Sequence, residues 1–510
     1  MKKRLFHFCW AVTLLLVIPA STVVHAVADE PLLRLTVSQI ELIHESVQRS
    51  MADGKIPGVS LVIVSGNEVI YSKGFGYADV GNQVAVTMET VFELGSNSKA
   101  FTGLAMLKLE SEGLVDLSAP VDNYLPWLAM SYSSESVMVT VEQVMNHTSG
   151  IPFSSIDRIP ESTADDALEE TVRTLVGTEL QTRPGEAFSY ATINYNILGL
   201  IIERVTGQSY ESYMIENILQ PIGLNNTYMF HEDAGVNMAI GYQINFLRAR
   251  EFDAPIYRGN KPAGYILSSG HDIAKWMITQ LGFNDDSAFD QRLIERSHAF
   301  GAPLQQGSHL SYNAGWFVSE LTGDIFHSGS NPNFSSSVVL DTETGIGITV
   351  LANLNSQLTD EIISNVRDII QGAEPGISEI ADLNLEIDRV AVVIICVSTA
   401  ITLLMMFLIA RLLTQIRKKQ RAFVVPHAKG IIGMCLLVTF LATLSFIVSQ
   451  LPRIFFNGIG WQTAAVWAPG TLVLAVAFAG IAVLFISLCL VVDLLYRRKE
   501  NISNKCKERK

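Results

Sequence analysis

Glu93-Leu94-Gly95-Ser96-Asn97-Ser98-Lys99-Ala100-Phe101-Thr102-Gly103 leads into an apolar-periodic stretch, and the spacing predicts a helix over Lys99–Ser111. Ser96 and Lys99 stand three positions apart. On a helical turn they share a face, so Nζ reaches Oγ. A serine hydroxyl is a poor nucleophile until a base takes its proton. A lysine serves as that base when desolvation and cationic surroundings lower its pKa. The pair alone also fits a solvated surface contact, so its meaning depends on the rest of the chain.

Three further segments bear on it. Pro184-Gly185-Glu186-Ala187-Phe188-Ser189-Tyr190 precedes Asn194-Tyr195-Asn196-Ile197-Leu198-Gly199, which reads as the start of a buried helix. Tyr190 on that loop can project its hydroxyl into a cleft. His327-Ser328-Gly329-Ser330 reads as a small, Gly-containing strand near the edge of a sheet. Such a strand admits a substrate backbone and leaves a free N–H to polarise its carbonyl. Met145-Asn146-His147-Thr148-Ser149-Gly150 ends a helix, and His147 is read as structural rather than catalytic.

Around these segments, alternation marks a strand at Val59–Ser65, a hairpin turn at Gly66-Asn67 and a return strand at Glu68–Phe75. Helices are expected at Thr140–Met145, Ala164–Val176, Asn194–Val205 and Ser209–Leu219. Short strands are expected at Gly315–Glu320, Asp324–His327, Ser335–Asp341 and Gly347–Leu351, with a closing helix at Thr359–Ile370. Strands at both ends of a helical insert imply a sheet assembled from the two termini, with a second lobe between. Asp382–Asp388 reads as a short tether.

Beyond Val390 the 510-residue chain changes character. Three runs, about 390–413, 430–449 and 470–492, each approach the roughly 20 apolar residues that cross a membrane. Arg411, Arg417, Lys418, Lys419, Arg421 and Lys429 lie between the first two. Arg497, Arg498, Lys499, Lys505, Lys507, Arg509 and Lys510 follow the third. The loop between the second and third carries only Arg453, among Phe455, Phe456, Trp461 and Trp467. The positive-inside rule makes the basic loop and tail cytoplasmic and the aromatic loop external. Residues 1–26 read as a signal peptide: basic Met1-Lys2-Lys3-Arg4, apolar Leu5 to Ala20, and Val24-His25-Ala26 suited to cleavage. Domain 27–388 is then periplasmic, and 389–510 is a multi-pass membrane domain in the bacterial inner membrane.

The net charge is −14, and the basic residues cluster in the membrane part, which argues against nucleic acid as a partner. The cysteines are Cys9, Cys396, Cys435, Cys489 and Cys506, so domain 27–388 contains none and folds without a disulfide. No Cys/His cluster or HExxH pattern marks a metal site.

The order and spacing of the four segments resemble the serine β-lactamase and penicillin-binding-protein superfamily, particularly its class C-like branch. Pro221-Ile222-Gly223-Leu224, Gly241-Tyr242, Pro262-Ala263-Gly264 and Gly315-Trp316 extend the likeness over nearly all of domain 27–388. The resemblance implies an α/β fold, an antiparallel sheet flanked by helices plus a helical lobe, here followed by three C-terminal transmembrane helices. It implies Ser96 as nucleophile, Lys99 and Tyr190 as the proton-transfer pair, and His327-Ser328-Gly329 in place of a Lys-Thr-Gly strand. The N–H groups of Ser96 and Ser330 would form the oxyanion hole, and no cofactor is required.

Ser98-Lys99-Ala100-Phe101-Thr102-Gly103, His147-Thr148-Ser149-Gly150-Ile151-Pro152-Phe153-Ser154 and Asn331-Pro332-Asn333-Phe334-Ser335-Ser336 are similar to the D-asparaginyl peptidases that mature colibactin, zwittermicin and xenocoumacin. Those enzymes join an exported hydrolase domain to three membrane helices. They remove an N-acyl-D-asparagine cap from an exported precursor. The likeness implies that substrate here, with Thr192, Asn331 and Asn333 toward the D-Asn side chain. Leu267 stands where the colibactin enzyme carries a histidine, which removes a polar contact. A D,D-peptidase or esterase is the rival activity. A β-lactam-sensing receptor ranks lower, because the cytoplasmic parts are too short for a signalling domain. The helices would anchor the enzyme near lipid or lipid-capped substrate and offer a place for a homodimer interface.

Overall fold

The computed structural model describes residues 33–284, 287–376 and 381–498. The expected signal peptide 1–26 lies outside them. From Arg34 onward the chain forms one compact unit.

Gly58–Ser65 is buried along its whole length, because both of its faces are covered. Its side chains alternate between two cores, as strand geometry requires. Leu61 and Ile63 pack with Ile43 and Val47 of helix Val37–Gly54 and with Ile362, Val366 and Ile369 of helix Leu358–Ile370. Val62 and Val64 face the larger core, which holds Phe101, Leu104, Trp276 and Met277. Hairpin partner Glu68–Asp79 lies on one side, and Ile346–Ala352 on the other, in the register Val62↔Thr349. The two ends of the domain therefore meet in one sheet, as the sequence predicts.

Among the described residues that sheet has nine strands. Their spatial order is Ala302–Pro303, Leu310–Asn313, Trp316–Ser319, Asp324–Asn331, Phe334–Asp341, Ile346–Ala352, Gly58–Ser65, Glu68–Asp79 and Val84–Ala85. The helical lobe is inserted between the two halves and is centred on Ile193–Thr206, buried from Ile193 through Ile202. The expected Ala164–Val176 helix is shorter, Ala167–Arg173, and the expected Ser209–Leu219 helix changes pitch at Ile215–Leu219.

Two expectations need correction. The strand carrying His327–Ser330 is interior to the sheet rather than at its edge. Its pairing with Trp316–Ser319 nevertheless stops at Phe326, so the edge is open locally from His327 onward. Asp382–Asp388 is not a loose tether. Asp382 caps a helix that runs unbroken from Leu383 to Arg417, accepting from the Leu385 N–H at 3.0 Å and from Ser356 Oγ at 2.6 Å.

That helix, Ala428–Phe455 and Gly470–Leu495 are each long and apolar enough to cross a membrane. The first has 35 residues. It rises roughly 52 Å, longer than a hydrocarbon core of about 30 Å. It packs along Gly470–Leu495, where Ala391, Ser398, Ala475, Ala482 and Ser487 are buried; small residues let membrane helices approach closely. At the far end Arg421–Phe423 pairs with Tyr496–Arg498, which puts Arg421, Arg497 and Arg498 on one side of the bundle. The short helix Trp461–Trp467 sits at the opposite end, against the segment Phe153–Arg158.

Candidate active site

Ser96 lies in a tight 3₁₀ turn, Gly95–Asn97, that runs into helix Ser98–Ser111. Gly95 has φ +52°, and a Cβ there would stand 2.5 Å from the Ser330 nitrogen. Only glycine permits that approach, and it brings the nucleophile turn against the strand. The turn is bolted at several points. Asn97 Nδ2 donates to Ser336 Oγ at 2.7 Å, Ser336 Oγ donates to the Leu94 carbonyl at 2.6 Å, and Leu94 N–H donates to Ile266 O at 2.9 Å.

Lys99 is fully buried. Its Nζ stands 3.0 Å from Ser96 Oγ and donates to the Ala263 carbonyl at 2.6 Å. Burial holds its pKa well below the ordinary lysine value. The Tyr190 hydroxyl donates to Ser96 Oγ at 3.0 Å. Burial raises the pKa of that phenol, so it keeps its proton. The three groups thus converge with a neutral amine favoured on one side of Oγ and a protonated phenol on the other.

His147 holds the tyrosine in place. Its Nδ1 accepts from Ala191 N–H at 3.3 Å and from Asn194 Nδ2 at 3.0 Å, and its ring lies 4.3 Å from that of Tyr190. Two donors on Nδ1 put the ring proton on Nε2, which is buried without a partner. Burial, then Lys99 and His327, depress the His147 pKa, so the ring is neutral. His147 also takes φ +54°, and its carbonyl accepts the Ser189 N–H at 2.7 Å. This closes the loop that delivers Tyr190.

On the strand Asp324–Asn331, His327, Gly329 and Asn331 share one face and Ser328 and Ser330 the other. His327 is buried, with Nδ1 donating to Ser328 O at 2.7 Å, and burial pulls its pKa down to about 3. It therefore brings no positive charge to the site. Gly329 packs so close to the Leu94 carbonyl that a Cβ would stand 2.0 Å from it. Ser328 Oγ donates to Asp360 at 2.7 Å.

A pattern of the Beta-lactamase family matches residues 43–372 of this chain. The chain belongs to the β-lactamase family. Members of the family are serine hydrolases that work through an acyl-enzyme. Protein flp of Staphylococcus aureus (strain MRSA252) is 30% identical over 471 residues, spanning 90% of this chain and 92% of that one. A match over that share of the chain reaches beyond the catalytic domain into the long apolar helices. The octameric penicillin-binding protein homologue from Pyrococcus abyssi superposes with a TM-score of 0.58 at 27% identity, covering 69% of this chain and 81% of that one. A class C β-lactamase mutant shares the fold with a TM-score of 0.56 at 20% identity, covering 66% of this chain and 97% of its own.

In this β-lactamase-family cleft, of about 490 Å³, Ser96, Tyr190, Thr192 and Ser330 line one cavity. Asn331, Asn333 and Leu267 do not line that cavity. The Asn331 side chain is buried, its Nδ2 donating to Glu93 and to the Gly264 carbonyl at 2.9 Å. Asn333 lines a separate cavity with Glu93, His231 and Lys261, and donates to Phe252 O at 3.1 Å. Leu267 is fully buried in a strand paired with Glu93 and Tyr228, and packs on Val91 and Ala234. Its apolar side chain belongs to that small core and does not face the cleft.

Sequence reasoning missed the far wall of the cleft. Leu383 and Ile387 of the first long apolar helix line it, as do Phe456, Ile459, Ala464 and Trp467 of the loop between the second and third. The loop is docked: Gly460 N–H donates to Asp157 at 2.6 Å, and Gln243 Nε2 donates to the Val466 carbonyl at 2.9 Å. The aromatic content of that loop was the available signal, and it reads equally as an ordinary membrane-interface belt.

Proposed function

We propose that the protein is a membrane-anchored serine peptidase that acylates Ser96 and acts on an exported, N-acylated amide. The observation that carries this reading is the convergence of Lys99 Nζ and the Tyr190 hydroxyl on Ser96 Oγ, each at 3.0 Å. Neutral Lys99 takes the Ser96 proton as Oγ attacks the scissile carbonyl. The N–H groups of Ser96 and Ser330 hold the developing oxyanion, on the locally open strand edge. The carbon–nitrogen bond breaks, Tyr190 passes a proton to the departing amine and takes one from Lys99, and the acyl group stays on Oγ. Water then attacks the ester, giving a proton to Lys99; the acyl–Oγ bond breaks, a proton returns through the same pair to Oγ, and the acid is released.

The substrate proposed is an inactive precursor capped with N-acyl-D-asparagine. The sequence likeness motivates it, and Thr192, which lines the cleft beside Tyr190, supports it. A second reading, a broader esterase or D,D-peptidase, is favoured by the positions of Asn333 and Leu267 outside that cavity. The full-length protein should be assayed on paired N-acyl-D-Asn and N-acyl-L-Asn amides and on a D-Ala-D-Ala peptide. Selective cleavage of the D-Asn amide supports the cap-removing role. Equal rates on both asparagine amides, or cleavage of the peptide alone, moves the assignment to the second reading.

A further inference from the structure

The cleft that holds Ser96 is closed in part by the helix Leu383–Arg417 and by the loop between the second and third long helices. Phe153 and Ile156 supply one apolar wall. Leu383, Phe456, Ile459 and Trp467 supply another, from the first long apolar helix and from the loop between the second and third. This wall is held in place rather than lying loosely over the cleft. Asp388 on the first helix accepts the backbone N–H groups of Phe246, at 3.1 Å, and Leu247, and the Thr471 hydroxyl donates to the same carboxylate. Thr471 N–H donates to Asn245 at 3.2 Å. Catalytic domain, first helix and third helix therefore meet at one buried carboxylate.

We infer that this composite wall is the subsite for the apolar chain of an amphiphilic substrate, whose scissile carbonyl lies at Ser96. Three observations support this assignment. The cavity is continuous from the nucleophile to the wall, so one molecule can touch both. The wall is chiefly apolar and offers no basic side chain to an anionic tail. It is also built in part on a helix long and apolar enough to cross a membrane, the medium in which such a chain would partition. The inference rests on the reading of Ser96 as nucleophile and does not depend on the asparagine cap. It assigns the membrane segments a share in selectivity as well as anchorage.

The test uses full-length protein in lipid nanodiscs and p-nitrophenyl esters from acetate to decanoate. In each turnover the acyl–oxygen bond breaks, p-nitrophenol leaves, Ser96 Oγ carries the acyl group, and water releases it. Wild-type kcat/KM should rise with chain length, because every buried methylene contributes several-fold. In Phe456→Asp and Trp467→Asp the ratio of decanoate to acetate kcat/KM should drop by about tenfold or more. Phe456→Leu should keep the wild-type ratio. Comparing variants in the same nanodiscs cancels partitioning of the esters into lipid. Intact-mass detection of the acetyl adduct on Ser96 shows that each variant is folded and competent. An unchanged ratio in both aspartate variants overturns the subsite. Absence of any adduct on wild-type Ser96 overturns the nucleophile assignment itself, and the subsite with it.

Discussion

Lys99 Nζ lies 3.0 Å from Ser96 Oγ, and burial alone accounts for the depressed pKa of the amine. No carboxylate steadies the charged form, so the environment favours the neutral base that the reaction needs.

The pH profile follows from this. The active form has Lys99 unprotonated, so kcat/KM should climb as pH rises through the depressed Lys99 pKa. The plateau should be reached well below the ordinary lysine value of 10.5. Tyr190 is shifted upward and stays protonated, so no falling limb should appear at the ordinary phenol value of 10.0. A rate–pH curve whose single inflection sits at 10.5 would show Lys99 to be an unperturbed amine.

Ser96→Ala should abolish turnover with the melting temperature preserved. Lys99→Ala and Tyr190→Phe should each lower kcat/KM by several powers of ten, and the double variant by little more, since the three groups act as a unit. Steady-state kinetics on the four proteins would settle it. Near-normal turnover by Ser96→Ala would remove the nucleophile.

His147→Ala strips the acceptor from Ala191 N–H and Asn194 Nδ2 and leaves a gap beside the Tyr190 ring. The expected loss is about 2–5 kcal/mol of stability, from orphaned donors and the cavity together. Because His147 positions Tyr190 without facing the cleft, kcat should fall while KM for a short ester holds. A shift in KM alone would contradict this role.

Gly95→Ala meets two obstacles, a left-handed φ and a Cβ 2.5 Å from the Ser330 nitrogen. The turn must move away from the strand. Acylation of Ser96, followed by mass, should slow by at least about a hundredfold as the oxyanion donors separate. Wild-type rates would mean that Ser330 plays no part in the reaction.

Topology is checked with alkaline phosphatase fusions. Fusion after Asp388 should be active and fusion after Arg421 inactive. The reverse result would invert the charge-based orientation.

The framework was legible because its signals are local. Ser96 and Lys99 announce themselves by spacing, Gly58–Ser65 by unbroken apolarity, and the three long helices by length. What escaped depends on contacts between distant segments. The likeness implies Asn331 as a substrate residue and Leu267 as a lost polar contact; in the fold Asn331 is tied to Glu93 and Gly264, and Leu267 is paired with Glu93 and Tyr228. Nothing near either residue in the chain specifies those partners. Strand position escaped for a similar reason: small residues such as Gly329 signal an accessible edge, and here the access is a local gap made by an early end of pairing. The tether Asp382–Asp388 carries enough polar residues to resemble a linker. Its polarity is used for a cap at Asp382 and a clamp at Asp388.

That clamp has a geometric corollary. A catalytic head on a slack leash would sweep a hemisphere and meet bonds at any height above the lipid. Here helix Leu383–Arg417 is fastened to the head, with Asp388 locked to Phe246, Leu247 and Thr471. With that helix across a bilayer, Ser96 is held at a constant altitude, like a blade set in a plane. An enzyme so placed would measure its substrate as well as cut it: a susceptible bond would have to project from the surface by the right span, and encounter would follow how densely molecules populate the leaflet rather than their concentration in the surrounding fluid.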